Sequence, residues 1–213
     1  MINNIIDITI PLTGDLPKWP GSPGFIIQKF QKMENGNQCN NSLITCDVHF
    51  GTHIDAPLHF FQDGKSIDQI DLESLIGEVY VANLPDIDDI TKDILELLPL
   101  NKGIKRIIFR TKNSELWSKR KCVFYPDYVA LSPDGAKWLV DKGIKLVGTD
   151  YLSIQPFNDK TGVVHKILLG NGVTIIEGLN MFDIAEGIYE LICLPLNIVG
   201  ADGAPARVIL KKV

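Results

Sequence analysis

The chain contains four histidines, and three of them, His49, His53 and His59, fall within eleven residues in the run HFGTHIDAPLHF. Neutral imidazole is a common ligand of divalent ions, and its unperturbed pKa lies close to neutrality. The spacing is informative. Gly51-Thr52 makes a turn between His49 and His53, and Asp55 follows two residues on. Such a turn can aim two imidazoles and one carboxylate at a single point, a set that suits Zn²⁺ or a similar ion and leaves positions open for water. Pro57 stiffens the return of the chain. His59 then lies near the cluster without having to be a ligand, where it can pass a proton to a leaving group. Closed structural zinc sites are mostly rich in cysteine, so a His/Asp set points to catalysis. The fourth histidine, His165, precedes the apolar stretch KILL and the turn Gly170-Asn171-Gly172, and the strand VTII then ends at Glu177. Alone, Glu177 reads as an exposed carboxylate at a strand end. If buried it needs a partner, and beside His165 a metal role is open to it.

The elements that must position these groups are mostly strands. Residues 5 to 10 read as a strand, followed by a loop rich in Pro and Gly from Pro11 to Gly24, and residues 25 to 30 as a second strand. Over 43 to 50 the period of two puts Ile44, Cys46, Val48 and Phe50 on one face and Thr45, Asp47 and His49 on the other. Further strands are expected at 78 to 84, 106 to 111, 145 to 148, 173 to 176, 189 to 194 and 206 to 210, and a helix at 88 to 98. A second helix is expected from 132 to 142, with Ser132 as N-cap, Pro133 in the first turn and Gly143 as the stop. Lying between strands at 106 and 145, it suggests a β-α-β unit. The expected fold is α/β, with more strand than helix.

Size and composition narrow the function classes. With 213 residues, 45% hydrophobic and 22% charged, the chain is expected to form a single domain over 1–213 with a real core. The formal net charge is −5 and the densest basic cluster is only Lys119-Arg120-Lys121, which argues against nucleic-acid binding. No apolar run is long enough to span a membrane, and the N-terminus lacks the features of a signal peptide, so a cytoplasmic location is expected. Cys39, Cys46, Cys122 and Cys193 are irregularly spaced and are expected to be free thiols. Cys46, three residues before His49, reads as a small buried apolar residue, with a thiolate ligand as the alternative.

The stretch His49-x-Gly51-Thr52-His53-x-Asp55-Ala56-Pro57-x-His59 resembles the signature of the metal-dependent cyclase family, which includes the bacterial kynurenine formamidases. Trp19-Pro20-Gly21, Gly148-Thr149-Asp150, Glu177-Gly178-Leu179 and the tail Gly200-Ala201-Asp202-Gly203-Ala204-Pro205 match in order, so the resemblance covers roughly residues 5 to 210. It implies a swivelling β/β/α fold with a mixed sheet, assembled as a homodimer or homotetramer, and two divalent ions per chain, usually Zn²⁺, with Mn²⁺ in relatives. His49 and His53 would hold the first metal, His165 the second, and Asp55 and Glu177 would contact both. His59 would be the catalytic acid/base, and Trp19, otherwise an ordinary loop tryptophan, would meet the substrate. The implied reaction is hydrolysis of a small-molecule amide, with N-formyl-L-kynurenine as leading substrate. A cyclic amide of the isatin kind and a polyketide-type cyclisation are the alternatives. One departure stands out: Ser22-Pro23 follows the Trp-Pro-Gly, where the formamidases usually carry an acidic residue.

Overall fold

Runs rich in β-branched and aromatic residues dominate the chain, and they pair into one large mixed sheet. The computed structural model describes residues 4–118 and 123–212; Lys119, Arg120, Lys121 and Cys122 lie outside them. The elements in order are β1 (Ile5–Asp7), β2 (Phe25–Gln31), β3 (Asn41–Cys46), β4 (His53–Asp55), α1 (Leu72–Leu75), β5 (Ile76–Leu84), β6 (Asp89–Ile90), α2 (Lys92–Glu96) and β7 (Arg106–Thr111). They continue with α3 (Ser114–Ser118), β8 (Ala130–Leu131), α4 (Pro133–Asp141), β9 (Leu146–Gly148), α5 (Val163–Gly170), β10 (Thr174–Glu177), β11 (Gly187–Pro195) and β12 (Gly203–Lys212).

The sheet runs β1-β12-β11-β5-β7-β9-β10-β4, and β4 pairs back onto β12. Seven strands therefore close into a ring, with β1 attached beside β4 along β12. Closure removes most free edges. The segment β5-β7-β9-β10 is parallel and the remaining pairs are antiparallel, which gives the mixed, strand-rich α/β architecture expected from the sequence. Alternation along β7 shows how one strand serves two cores. Ile107 and Phe109 pack outward with Leu139 of α4 and Leu168 of α5, whereas Ile108 points inward with Ile54, Ile176 and Leu191.

The β-α-β expectation holds: β7 and β9 are parallel neighbours, and α4 lies between them in sequence. Ser132 caps α4 by accepting the Gly135 N–H at 3.2 Å, Pro133 occupies its first turn, and Gly143 follows it at a φ of 74°. Three readings are corrected. The expected helix at 88 to 98 is β6 followed by the five-residue α2, because Asp89 and Ile90 pair with β8. The strand expected over 43 to 50 ends at Cys46. Beyond it Asp47 starts a turn, accepting the His49 N–H on its side chain and the Phe50 N–H on its carbonyl. His49 therefore sits in a turn, and of the apolar set only Phe50 is fully buried. Cys46 is half-buried and its thiol donates to the Asp47 carbonyl, so it is not aimed at the histidines. Cys39, Cys46 and Cys193 are free thiols, as expected.

The hairpin β2–β3 pairs only with itself and leaves Ile26, Ile27, Phe30, Leu43 and Ile44 each 55–60% exposed. No helix among the described residues is long and apolar enough to cross a membrane.

One contact locks the ring next to the histidines. Gly178, directly after β10, has a φ of 71°, and a Cβ there would lie 2.2 Å from the Gly51 carbonyl oxygen. Thr52 ties the same two segments together, donating its hydroxyl to the Gly178 carbonyl and accepting the Ile10 N–H. Gly178→Ala is expected to cost on the order of 2–4 kcal/mol, combining positive-φ strain with a backbone clash. Denaturant unfolding checks this. A loss below about 0.5 kcal/mol would show that the two segments can separate freely.

Candidate metal centre

The site is built on β4. His53 and Asp55 are two residues apart on a strand, so their side chains share one face. In the antiparallel pairing of β10 with β4, Glu177 stands directly opposite His53, which places its carboxylate on that same face. Helix α5 covers this face and brings in His165 along with buried Val164, Leu168 and Leu169. The sequence did not disclose this helix; its N-cap is Gly162, in the left-handed region, and it lasts eight residues. His49 reaches the cluster from the turn after Asp47. Gly203 leaves it room, since a Cβ there would lie 2.7 Å from His49 Cε1.

The distances describe a tight set. His53 Nε2 lies 3.4 Å from Asp55 Oδ1 and 3.5 Å from Glu177 Oε2. His165 Nε2 lies 3.1 Å from Glu177 Oε1 and 3.5 Å from Asp55 Oδ2. His49 sits between two carboxylates, with Nδ1 2.9 Å from Asp55 Oδ1 and Nε2 2.9 Å from Asp202 Oδ2. The outer nitrogen of His53 donates to the Gly51 carbonyl at 2.9 Å, which fixes the tautomer and turns Nε2 inward. The Ile154 N–H donates to Glu177 Oε1 at 2.7 Å.

The electrostatics follow from burial. His53, Asp55, His165 and Glu177 are all nearly inaccessible to water. Burial alone would lower the pKa of His53, but Asp55 and Glu177 outweigh it and push it up to about 10. Burial would raise Asp55, yet His49 and His53 hold it well below the usual carboxylate range. His59 goes the other way: burial and the neighbouring His49 and His165 outweigh the carboxylates and depress its pKa.

These residues fit a divalent cation. His53 Nε2 and Asp55 Oδ2 are buried with no hydrogen-bond partner, although each faces the cluster. A buried polar atom left without a partner costs about 1–3 kcal/mol, and a bound ion removes that cost. Two ligand sets share Asp55, namely His53–Asp55–Glu177 and His49–Asp55–His59, with the ligand atoms of each set within 4.8 Å of one another. The structure brings together all five residues read from the sequence as ligands but groups them differently: His49 falls with His59 rather than with His53, and His165 reaches Glu177 and Asp55 without belonging to either set.

A cavity of about 630 Å³ opens onto the cluster, lined by His59, Phe60, His165 and Glu177 on one side and by Trp19 and Phe157 on another. Trp19 meets Phe124 and Phe157 edge to face, with ring centroids 5.3 and 5.2 Å apart. Ser22, at the point of departure from the formamidase pattern, donates its hydroxyl to Asp47, and both residues line the cavity. A carboxylate thus lies against that segment after all. Sequence reasoning assigned no role to Asp202 or Gln155. Asp202 contacts His49 and lies 3.4 Å from His59 Nδ1; Gln155 accepts the Val164 N–H and lies 3.4 Å from His165 Nδ1. Asp202 stands in the matched tail, which was its one visible signal.

Comparison with known proteins agrees with this picture. The "Cyclase" family model matches residues 6–156. "Cyclase-like protein 3" of Oryza sativa subsp. japonica is 42% identical over 219 residues, covering 98% of this chain and 80% of the relative. "Kynurenine formamidase" of Bacillus mycoides (strain KBAB4) is 35% identical over 209 residues, covering 98% of this chain and 97% of the relative. The solved structure of a "Potential Metal-Dependent Hydrolase With Cyclase Activity" superposes with a TM-score of 0.83 at 36% identity, covering 97% of this chain and 96% of that one.

Because Asp55 belongs to both ligand sets, Asp55→Asn is expected to abolish divalent-metal retention at both, not merely to slow turnover. Elemental analysis of the dialysed variant beside the unaltered protein checks it. Full metal content in the variant would rule out the shared role.

Proposed function

The chain belongs to the cyclase family, and we propose that it is a metal-dependent amidohydrolase of aryl formamides, with N-formyl-L-kynurenine giving L-kynurenine and formate as its leading reaction. The observation that carries this reading is the convergence of His53, Asp55, Glu177 and His165 at the floor of an aromatic-walled cavity that also exposes His59. The relatives named kynurenine formamidase support the substrate class.

His49, His53, Asp55, His165 and Glu177 would hold two divalent ions, with Zn²⁺ expected and Mn²⁺ the alternative. Bound there, such ions supply Lewis acidity for a developing oxyanion and lower the pKa of water. The rest of the chemistry belongs to the chain. Trp19 and Phe157 offer ring surfaces against which an aryl group packs, which directs its formamide toward the cluster. His59 is kept neutral by its depressed pKa, so it can accept the proton released by the attacking water. It then delivers that proton to the departing aryl amine as the carbon–nitrogen bond breaks. Asp202 lies at His59 Nδ1 and leaves Nε2 for this transfer. Ortho-acyl anilines leave poorly as anions, so proton delivery is the step where a side chain matters most.

We assign the whole chain to one domain acting as a homodimer or homotetramer. A lone two-stranded hairpin is marginal in water, and β2–β3 carries exposed apolar side chains on both faces, which a second copy would cover. The free cysteines support a cytoplasmic setting.

His59→Ala is expected to retain metal while turnover of N-formylkynurenine falls by roughly 10²–10⁴-fold. The deficit should shrink across a series of formanilides and formate esters as the leaving group becomes less basic. An equal deficit across the series would argue against proton transfer, and loss of metal would make His59 a ligand instead.

A further inference from the structure

The cavity wall carries one amine whose charge the hydrolysis does not use. Apart from the histidines, its charged lining residues are Asp47, Asp159, Glu177 and Lys160. We propose that Lys160 is a carboxylate-binding subsite, which makes the enzyme select aryl formamides that bear an anionic group on the arm next to the ring. This inference rests on the formamidase reading and goes beyond it by naming the residue that reads the substrate's far end.

Three observations place Lys160 in that role. Its ammonium lies 3.9 Å from the centroid of the Phe157 ring, and Phe157 is the ring that meets Trp19 across the cavity wall. The cation is thus fixed beside the surfaces that would hold the aryl group. Next, the ammonium donates to the Phe157 carbonyl at 2.8 Å, which holds the long side chain in place and leaves two of its three donors for a ligand. Finally, among the described residues no carboxylate pairs with it, although other Lys and Arg residues do form ion pairs. The adjacent Asp159 is occupied elsewhere: one oxygen accepts both the backbone N–H and the hydroxyl of Thr161, at 2.7 and 2.6 Å.

Charge balance at the site argues for the same ligand. Outside the ligand cluster, the other charged side chains of the lining are Asp47 and Asp159, which disfavour an anionic substrate arm along the outer wall except at Lys160. Lys160 is exposed whereas Glu177 is buried, so the subsite stands at the solvent side of the cavity and the ligand cluster at its floor. A substrate with a formamide at one end and a carboxylate at the other would span the two. Because Lys160 is exposed, solvent screens the pair, and its effect should be selectivity of about tenfold rather than an absolute requirement.

The experiment compares two substrates with the same scissile bond: N-formylkynurenine and its decarboxylated analogue, which keeps the formanilide and the ammonium but lacks the carboxylate. Metal-loaded wild-type enzyme is expected to favour the carboxylate substrate in kcat/KM by about tenfold, through KM. Lys160→Met, which keeps most of the aliphatic stem, should erase that preference, and Lys160→Arg should restore most of it. A loop-clamping role alone would change both substrates together and leave their ratio where it was; that outcome overturns the subsite, as does a wild-type enzyme indifferent to the carboxylate. A wild-type enzyme that cleaves neither formanilide overturns the formamidase reading itself, and the subsite with it.

Discussion

Two carboxylates buried side by side are the constraint around which this molecule is organised. Asp55 and Glu177 are almost completely removed from water, each raising the cost of ionising the other. Among the described residues no lysine or arginine reaches them; the cationic partners at their oxygens are the imidazoles of His49, His53 and His165. Such a pair persists in a folded protein only when cations and hydrogen bonds compensate it on every side. A divalent ion is the most compact compensation, and the unpartnered His53 Nε2 and Asp55 Oδ2 face the place where one would bind.

The barrel can be understood as the frame that holds this pair. Closure of the sheet through β4 puts His53 and Asp55 on a strand held on both edges, by β10 and by β12. A strand so held cannot slip by one residue without turning His53 and Asp55 to the opposite face. The β10 edge sets Glu177 opposite His53, and the β12 edge brings Gly203 and Asp202 to His49. Rigidity of the ligand face is therefore a consequence of topology. The moving and reading functions fall to the loops above it, where Trp19, His59, Phe157 and Lys160 stand.

The sequence disclosed the parts of this arrangement that depend on local chemistry. The motif from His49 to His59 was legible because imidazoles are few and their spacing brackets a turn. Helix α4 was legible because Ser132, Pro133 and Gly143 mark its ends. What stayed hidden depends on contacts far apart in the chain. The pairing of Glu177 with His53 spans more than a hundred residues, and no periodicity reports it. Asp202 acts through His49 and His59, and it reads as an ordinary loop aspartate until β12 folds back. The strand assigned over 43 to 50 failed at Asp47 because a side-chain acceptor competed with the ladder for the His49 N–H. Of the alternating apolar residues there, Ile44 stays exposed on the hairpin, Cys46 and Val48 are half-buried, and Phe50 reaches the core.

The central claim is that this carboxylate and imidazole cluster is a two-metal centre. The most direct test is anomalous diffraction at the metal absorption edge from crystals of the unaltered protein saturated with Zn²⁺ or Mn²⁺. The account predicts two peaks flanking Asp55, each about 2.0–2.2 Å from its ligand atoms, with His49, His53, His165 and Glu177 distributed between their shells. Saturated crystals with no anomalous peak at Asp55 would contradict it.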